Sequence, residues 1–169
     1  MKKSNVLSTQ KKRERYQRLK KQLLELLPKC EVTEARMATV LALLHHKMEY
    51  FFWTGFYFLH HDRLIVKMYQ GPVACMELKK DTGVCWAGIN QRKIIVVPDV
   101  HAFPGHIACD SRSKSEIVVP FFNLQGELLG VLDVDSDINE AFDYVDAENL
   151  KEILEMIFNV PYQRPENLI

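Results

Sequence analysis

Apolar positions near the start of the chain recur every three or four residues. Tyr16, Leu19, Leu23 and Leu26 share one helical face, which predicts an amphipathic helix ending at Pro28. Thr33 is placed to cap a second helix, with Met37, Val40, Leu41, Leu44 and Met48 as its apolar stripe. The pattern then changes. Phe51 to Leu59 and Leu64 to Tyr69 are rich in aromatic and β-branched residues and predict two strands, joined by a hairpin turn at His60-His61-Asp62-Arg63. Gly71-Pro72 opens an irregular stretch, Gly83 to Gln91 fits a short helix, and Ile94 to Val97 a short buried strand stopped by Pro98. Residues 98–114 read as loop around Pro104-Gly105. Two more strands follow, Glu116 to Phe122 and Leu128 to Val134, turning at Gln125-Gly126. Asp143 caps a closing helix whose apolar positions are Leu150, Ile153, Leu154, Ile157 and Phe158.

Hairpin-like connections predict an α+β fold: a central antiparallel β-sheet flanked by helices, with the terminal helices on one face. The loop between Val97 and Ser115 is long for a compact domain, and ordered loops of that length often bind or cover a ligand.

Composition narrows the setting. The 169 residues, 47% hydrophobic and 26% charged, suit one soluble globular domain. No uncharged apolar run is long enough to cross a bilayer, and no apolar h-region follows Met1-Lys2-Lys3, so the expectation is a cytoplasmic protein. The formal net charge is zero but unevenly spread: residues 1–21 hold nine Lys or Arg and one Glu. Such an arm can bind nucleic acid or anionic lipid, but a charge run is more often a solvated helix face. The expectation is therefore no nucleic acid and no membrane as partners.

The segment Gly130-Val-Leu-Asp-Val-Asp-Ser136 carries the first candidate chemistry. Side chains alternate along a strand, so Asp133 and Asp135 share one face with Cα atoms about 6.6–7 Å apart. Like charges so close raise each other's pKa unless a cation or donor lies between them. The pair reads equally as an ammonium or metal site and as a strand end running into solvent. Glu116, at the head of an otherwise apolar strand, adds a third acid if the two strands pair; it also fits a surface glutamate. Trp53 and Tyr57, four apart on the first strand, share a face and can box a cation or a thioether-like group, or serve simply as core.

Four cysteines in a reducing compartment are not expected to form a structural disulfide framework. Cys30 has no polar cluster around it and fits a small buried hydrophobe. Cys75, Cys85 and Cys109 lie among Gly, Pro, Asp and His. His101 and His106 flank Cys109, and a nearby imidazolium lowers a thiol pKa. Zinc has residues of the right types in His101, His106, Cys75, Cys85 and Cys109, but no CxxC or HxxxH spacing, so no metal is expected. A Cys/His/Asp hydrolase likewise lacks a local signature.

The run from Val96 to Ser111, Val-Val-Pro-Asp-Val-His-Ala-Phe-Pro-Gly-His-Ile-Ala-Cys-Asp-Ser, resembles the signature of the free methionine-(R)-sulfoxide reductases, which are GAF-domain enzymes. So do Trp53-Thr-Gly-Phe-Tyr57, Gly71-Pro-Val-Ala-Cys75, Gly83-Val-Cys85, Ser115-Glu-Ile-Val-Val-Pro120 and Gly130 to Ser136. The resemblance spans residues 35–158, in the family's order. It implies a GAF domain at 33–160, preceded by a basic helical arm at 1–32 and followed by a tail at 161–169. It implies Cys109 as nucleophile, Cys75 as resolving thiol and Cys85 as a second thiol for recycling. Glu116, Asp133 and Asp135 would hold the substrate, with Glu116 also delivering a proton, and Trp53 and Tyr57 would wall the pocket.

The implied reaction is reduction of free L-methionine (R)-S-oxide to methionine, through a sulfenic acid and an intramolecular disulfide. No cofactor would be bound; thioredoxin would supply electrons, ultimately from NADPH. Homodimerisation through the N-terminal helices stays open. The family usually has a small residue after Gly-Val-Cys, where this chain has Trp86, and Leu78 to Thr82 also departs from the pattern. The main rival is a non-catalytic GAF module that binds a small ligand; a pure sensor has no reason to carry Cys75, Cys85 and Cys109 together.

Overall fold

The computed structural model describes residues 6–106 and 110–164. An amphipathic helix, α1 (Thr9–Leu26), passes through a single 3₁₀ turn at Leu27–Lys29 into α2 (Thr33–Lys47). A hairpin of β1 (Trp53–His60) and β2 (Arg63–Gln70) follows, then the two-residue strand β3 (Glu77–Leu78) and α3 (Gly83–Gln91). β4 (Ile95–Val97), a 3₁₀ turn at Val100–Ala102, β5 (Ser115–Phe122), β6 (Leu128–Ser136) and α4 (Tyr144–Asn159) complete the order. The strands form one sheet in the order β3-β2-β1-β6-β5-β4, with every neighbouring pair antiparallel. This is the α+β architecture expected from the sequence.

Alternation sorts the sheet into two faces. Phe56, Ile117, Val119, Leu132 and Val134 point to the side covered by α1, α2 and α4, where Tyr16, Leu19, Leu23, Val40, Leu44, Leu150 and Ile153 meet them in one core. Trp53, Tyr57, Val118 and Val131 point to the other side and pack against Val84, Trp86 and Ile89 of α3. The first core is thick, covered by three helices. The second, covered by one short helix, leaves room for a cavity.

The structure adjusts several sequence expectations. α2 starts at Thr33 itself, with Val32 at the cap position and no capping side-chain bond. The Asp143 cap is present and closes reciprocally with Asp146 as a capping box. β3 and the turn at Val100–Ala102 were not legible, since two or three residues carry no periodicity. The basic arm is only partly a solvated face. Lys12 is 1% exposed, because α1 lies across the N-terminus of α4 and drives this one ammonium against Asp143 and Asp146.

Candidate active site

β6 runs through the middle of the sheet between β1 and β5. The pairing register sets Asp135 opposite Trp53 on one side and Glu116 on the other, and Asp133 opposite Gly55 and Val118. Directly opposed residues on neighbouring strands share a face. The three acids and Trp53 therefore converge on the α3 side, together with Tyr57, two residues beyond Gly55. The glycine is required there: a Cβ at position 55 would collide with the Trp53 ring. Trp53 thus lies flat across β1, stacked between Tyr57 at 5.8 Å and Tyr69 at 5.4 Å.

These side chains line a cavity of about 210 Å³, which Cys75, Cys85, His106 and Ser113 also border. The acids are withdrawn from water; Glu116 is 5% and Asp133 7% exposed. Among the described residues no Lys or Arg pairs with any of the three; the nearest cationic candidate is His106, whose Nδ1 lies 3.9 Å from Glu116 Oε2. Burial is the main cause that pushes Glu116 well above the usual carboxylate range, followed by the charges of Asp133 and Asp135. Asp133 is pushed up to about 6 by burial, opposed by hydrogen bonds from Glu116 and the Cys85 thiol. Asp135 is raised by burial and then by Asp133, with the Ser113 hydroxyl opposing the shift. These causes favour the protonated form of Glu116, which can donate toward Asp133. The Asp133 Oδ1 atom is buried without a hydrogen-bond partner.

The segment 71–78 forms the rim above this floor, and three aromatic side chains hold it by its backbone. Trp53 Nε1 donates to Pro72 O at 3.1 Å, the Tyr57 hydroxyl to Cys75 O at 2.9 Å, and Trp86 Nε1 to Leu78 O at 3.3 Å. Trp53 and Tyr57 are thus both core, as their burial requires, and pocket wall. Trp86 packs behind the wall rather than into the cavity, and its indole ties down the far end of the segment.

The cysteines separate sharply. Cys75, half-buried on the rim, is disulfide-bonded. Cys30 and Cys85 are free thiols. Cys30 stands apart from the cavity. Cys85, 4% exposed on the first turn of α3, points at the acids, with Sγ 4.0 Å from Glu116 Oε1; burial and then the charge of Asp133 push its thiol well up, so it is a poor nucleophile. Cys109, the expected nucleophile, lies outside the described residues.

The two histidines are placed differently. His101 is exposed on the turn at Val100–Ala102 and does not border the cavity. His106 borders it, and burial, then the neighbouring charge of His101, lower its pKa from the ordinary value and favour the neutral ring; their effect on the Cys109 thiol lies outside the described residues. Ser113, a partner of Asp135, was missed; one serine in the polar run Ser111-Arg-Ser-Lys-Ser115 carries no distinguishing signal.

The GAF domain family model matches residues 30–159. GAF domain-containing protein A of Dictyostelium discoideum is 44% identical over 154 residues, covering 90% of this chain and 96% of its own length. The free methionine-R-sulfoxide reductase of Escherichia coli is 36% identical over 126 residues, or 75% of this chain and 76% of its own. The X-ray structure of free methionine-R-sulfoxide reductase from Neisseria meningitidis in complex with its substrate superimposes with a TM-score of 0.82 at 34% identity, covering 93% of each chain.

Proposed function

The chain belongs to the GAF-domain family of free methionine-R-sulfoxide reductases, and from that premise we propose that it reduces free L-methionine (R)-S-oxide to methionine with the Cys109 thiolate as nucleophile. The observation that carries the reading is the floor of three acids, Glu116 and Asp133 buried and Asp135 half-buried, unpaired with any Lys or Arg among the described residues, beneath a rim that bears a disulfide-bonded cysteine.

A free amino acid brings an α-ammonium, whereas a methionine within a chain does not. The ammonium supplies the positive charge that Asp133 and Asp135 lack and favours the ionised form of both as it binds. A peptide-bound sulfoxide would leave the two carboxylates desolvated and unpaired, which works against its binding. The stacked Trp53 and Tyr57 offer an apolar wall for the side chain and its S-methyl group.

With the amine fixed, the thiolate of Cys109 attacks the sulfoxide sulfur, and Glu116, whose protonated form burial and the neighbouring acids favour, protonates the oxygen as the S–O bond weakens. The sulfur of the substrate gains two electrons and leaves as methionine. The cysteine sulfur loses two and carries the oxygen as a sulfenic acid. The Cys75 thiol then condenses with that sulfenic acid, forming a Cys75–Cys109 disulfide and releasing water. A thioredoxin-type dithiol restores both thiols by exchange, its electrons coming indirectly from NADPH, so no cofactor is bound to this chain. Cys75 suits the resolving part because it lies on the rim; Cys85 is held below it among the acids.

The test is a coupled assay with thioredoxin, thioredoxin reductase and NADPH, comparing free R and S sulfoxide with a sulfoxide-containing peptide. Turnover of the free R form alone, lost in Cys109→Ser, is the expected result. Undiminished turnover in Cys109→Ser removes the nucleophile, and equal rates on the peptide remove the amine anchor.

A further inference from the structure

Cys85 has no task in the cycle above. An ammonium accounts for the carboxylates of the floor, but it has three N–H donors and gains little from a thiol set among them. Cys85 Sγ, an oxygen of Glu116 and an oxygen of Asp133 all lie within 4.8 Å of one another, on α3, β5 and β6 respectively. A second observation points the same way: Asp133 is 93% buried (7% exposed), and its Oδ1 has no hydrogen-bond partner.

One sulfur and two carboxylate oxygens form a mixed donor set. Magnesium and calcium ions prefer six or more oxygens, so the sulfur excludes them. Zinc takes sulfur at about 2.3 Å and carboxylate oxygen at about 2.0–2.2 Å, which in a tetrahedral site sets ligand atoms about 3.3–3.8 Å apart. The Sγ–Oε1 separation of 4.0 Å is already close to that, and the 4.8 Å limit of the trio requires side chains to move inward by about 1 Å. The fourth position opens on the cavity, where His106 stands within reach. Residue spacing could not reveal this set, because Cys85 and Glu116 are 31 residues apart and meet only through the packing of α3 on β5.

We propose that Cys85, Glu116 and Asp133 bind one zinc-class divalent cation, and that the bound ion excludes the sulfoxide by occupying the acids that anchor its amine. The exclusion rests on the function proposed above; the metal site does not. Because Cys85 is a free thiol while Cys75 is disulfide-bonded, the site is present with the disulfide closed. Binding can then be measured apart from the redox thiols.

The metal-stripped, disulfide-closed full chain is titrated with cadmium chloride, followed by the ultraviolet thiolate-to-metal charge-transfer band, and with zinc chloride by calorimetry. One equivalent is expected to bind, with the band present. Cys85→Ser should lose the band, and Cys85→Ser and Asp133→Asn should each weaken zinc binding at least tenfold. Cys30→Ser should keep the band, the stoichiometry and the affinity. Thermal unfolding guards against misfolding: zinc should raise the Tm of wild type and not that of Cys85→Ser. Absence of the band in wild type, or its persistence in Cys85→Ser, overturns the site. Saturating free methionine sulfoxide should weaken apparent zinc affinity at least tenfold. A Cys85-dependent zinc site indifferent to the sulfoxide, in a chain that turns the sulfoxide over, contradicts the exclusion alone; a Cys85-dependent site in a chain without turnover contradicts the substrate reading and leaves the metal site standing; and turnover of sulfoxide without a Cys85-dependent band contradicts the metal site alone.

Discussion

Two buried carboxylate clusters lie on opposite faces of the same sheet, and their chemistry is opposite. Asp146, 0% exposed at the N-terminus of α4, accepts from Tyr16 Oη at 2.8 Å, from Tyr50 Oη, from the Lys12 ammonium, and from its own capping partner, the Asp143 backbone N–H, at 2.9 Å. Glu116 and Asp133 are buried and Asp135 half-buried, with no Lys or Arg paired to them, and one Asp133 oxygen has no hydrogen-bond partner among the described residues. A buried acid that is fully bonded locks elements together. A buried acid that is not bonded costs stability, and a fold that keeps three of them side by side gains by them only when something positive binds. The first cluster is architecture; the second is the candidate site.

The contrast is open to direct attack. The largest effect is expected at the architectural cluster: Asp146→Ala leaves two tyrosine hydroxyls buried without their acceptor and strips the buried Lys12 ammonium of its buried carboxylate partner, leaving it Asp143 and Ala141 O, and should destabilise the fold by about 3–5 kcal/mol in denaturant unfolding. At the site the sign of the stability effect should reverse. Asp133→Asn is expected to stabilise the substrate-free chain by about 1–3 kcal/mol at pH 7, while lowering kcat/KM for free sulfoxide about 100-fold through loss of a charge-assisted bond. A destabilised Asp133→Asn chain would mean that the pocket acids are as structural as Asp146.

The pH dependence follows from the same asymmetry. The Asp133 carboxyl, raised to about 6 in the fold, titrates near 3.9 in the unfolded chain. The native state thus binds the extra proton between those values. Its contribution to stability is complete below about pH 4 and is lost as pH rises through about 6. The stability advantage of Asp133→Asn over wild type should therefore grow from about pH 4 to about pH 6 and level off above, as read from paired urea melts. The smallest effect concerns the rim. Trp86→Phe removes one hydrogen bond to the 71–78 segment, worth about 0.5–1.5 kcal/mol. It should slow disulfide closure at Cys75 about threefold to tenfold, with methionine release in the first turnover unchanged, by quenched-flow thiol counting.

Sequence made some of this legible and hid the rest for physical reasons. Strand alternation alone put Asp133 and Asp135 on one face, and four-residue spacing did the same for Trp53 and Tyr57. The strand pairing that sets Glu116 opposite Asp135 depends on register, which no local pattern encodes. The Lys12–Asp146 pair spans 134 residues, so a basic helix read locally as a solvated face concealed its one buried charge. Thr33 as a cap failed because a side chain able to cap need not be the residue at the helix boundary. The half-burial of His106, which lowers its pKa, is likewise something that spacing does not report.

The most direct test of the central claim is to remove the positive charge from the substrate and leave its sulfoxide untouched. Turnover of free methionine (R)-sulfoxide is compared with that of its N-acetyl derivative, with dithiothreitol as reductant, in wild type and in Asp135→Asn. The acidic floor predicts that acetylation lowers kcat/KM at least 1000-fold in wild type and much less in Asp135→Asn. Equal kcat/KM for the two substrates in wild type would contradict the account.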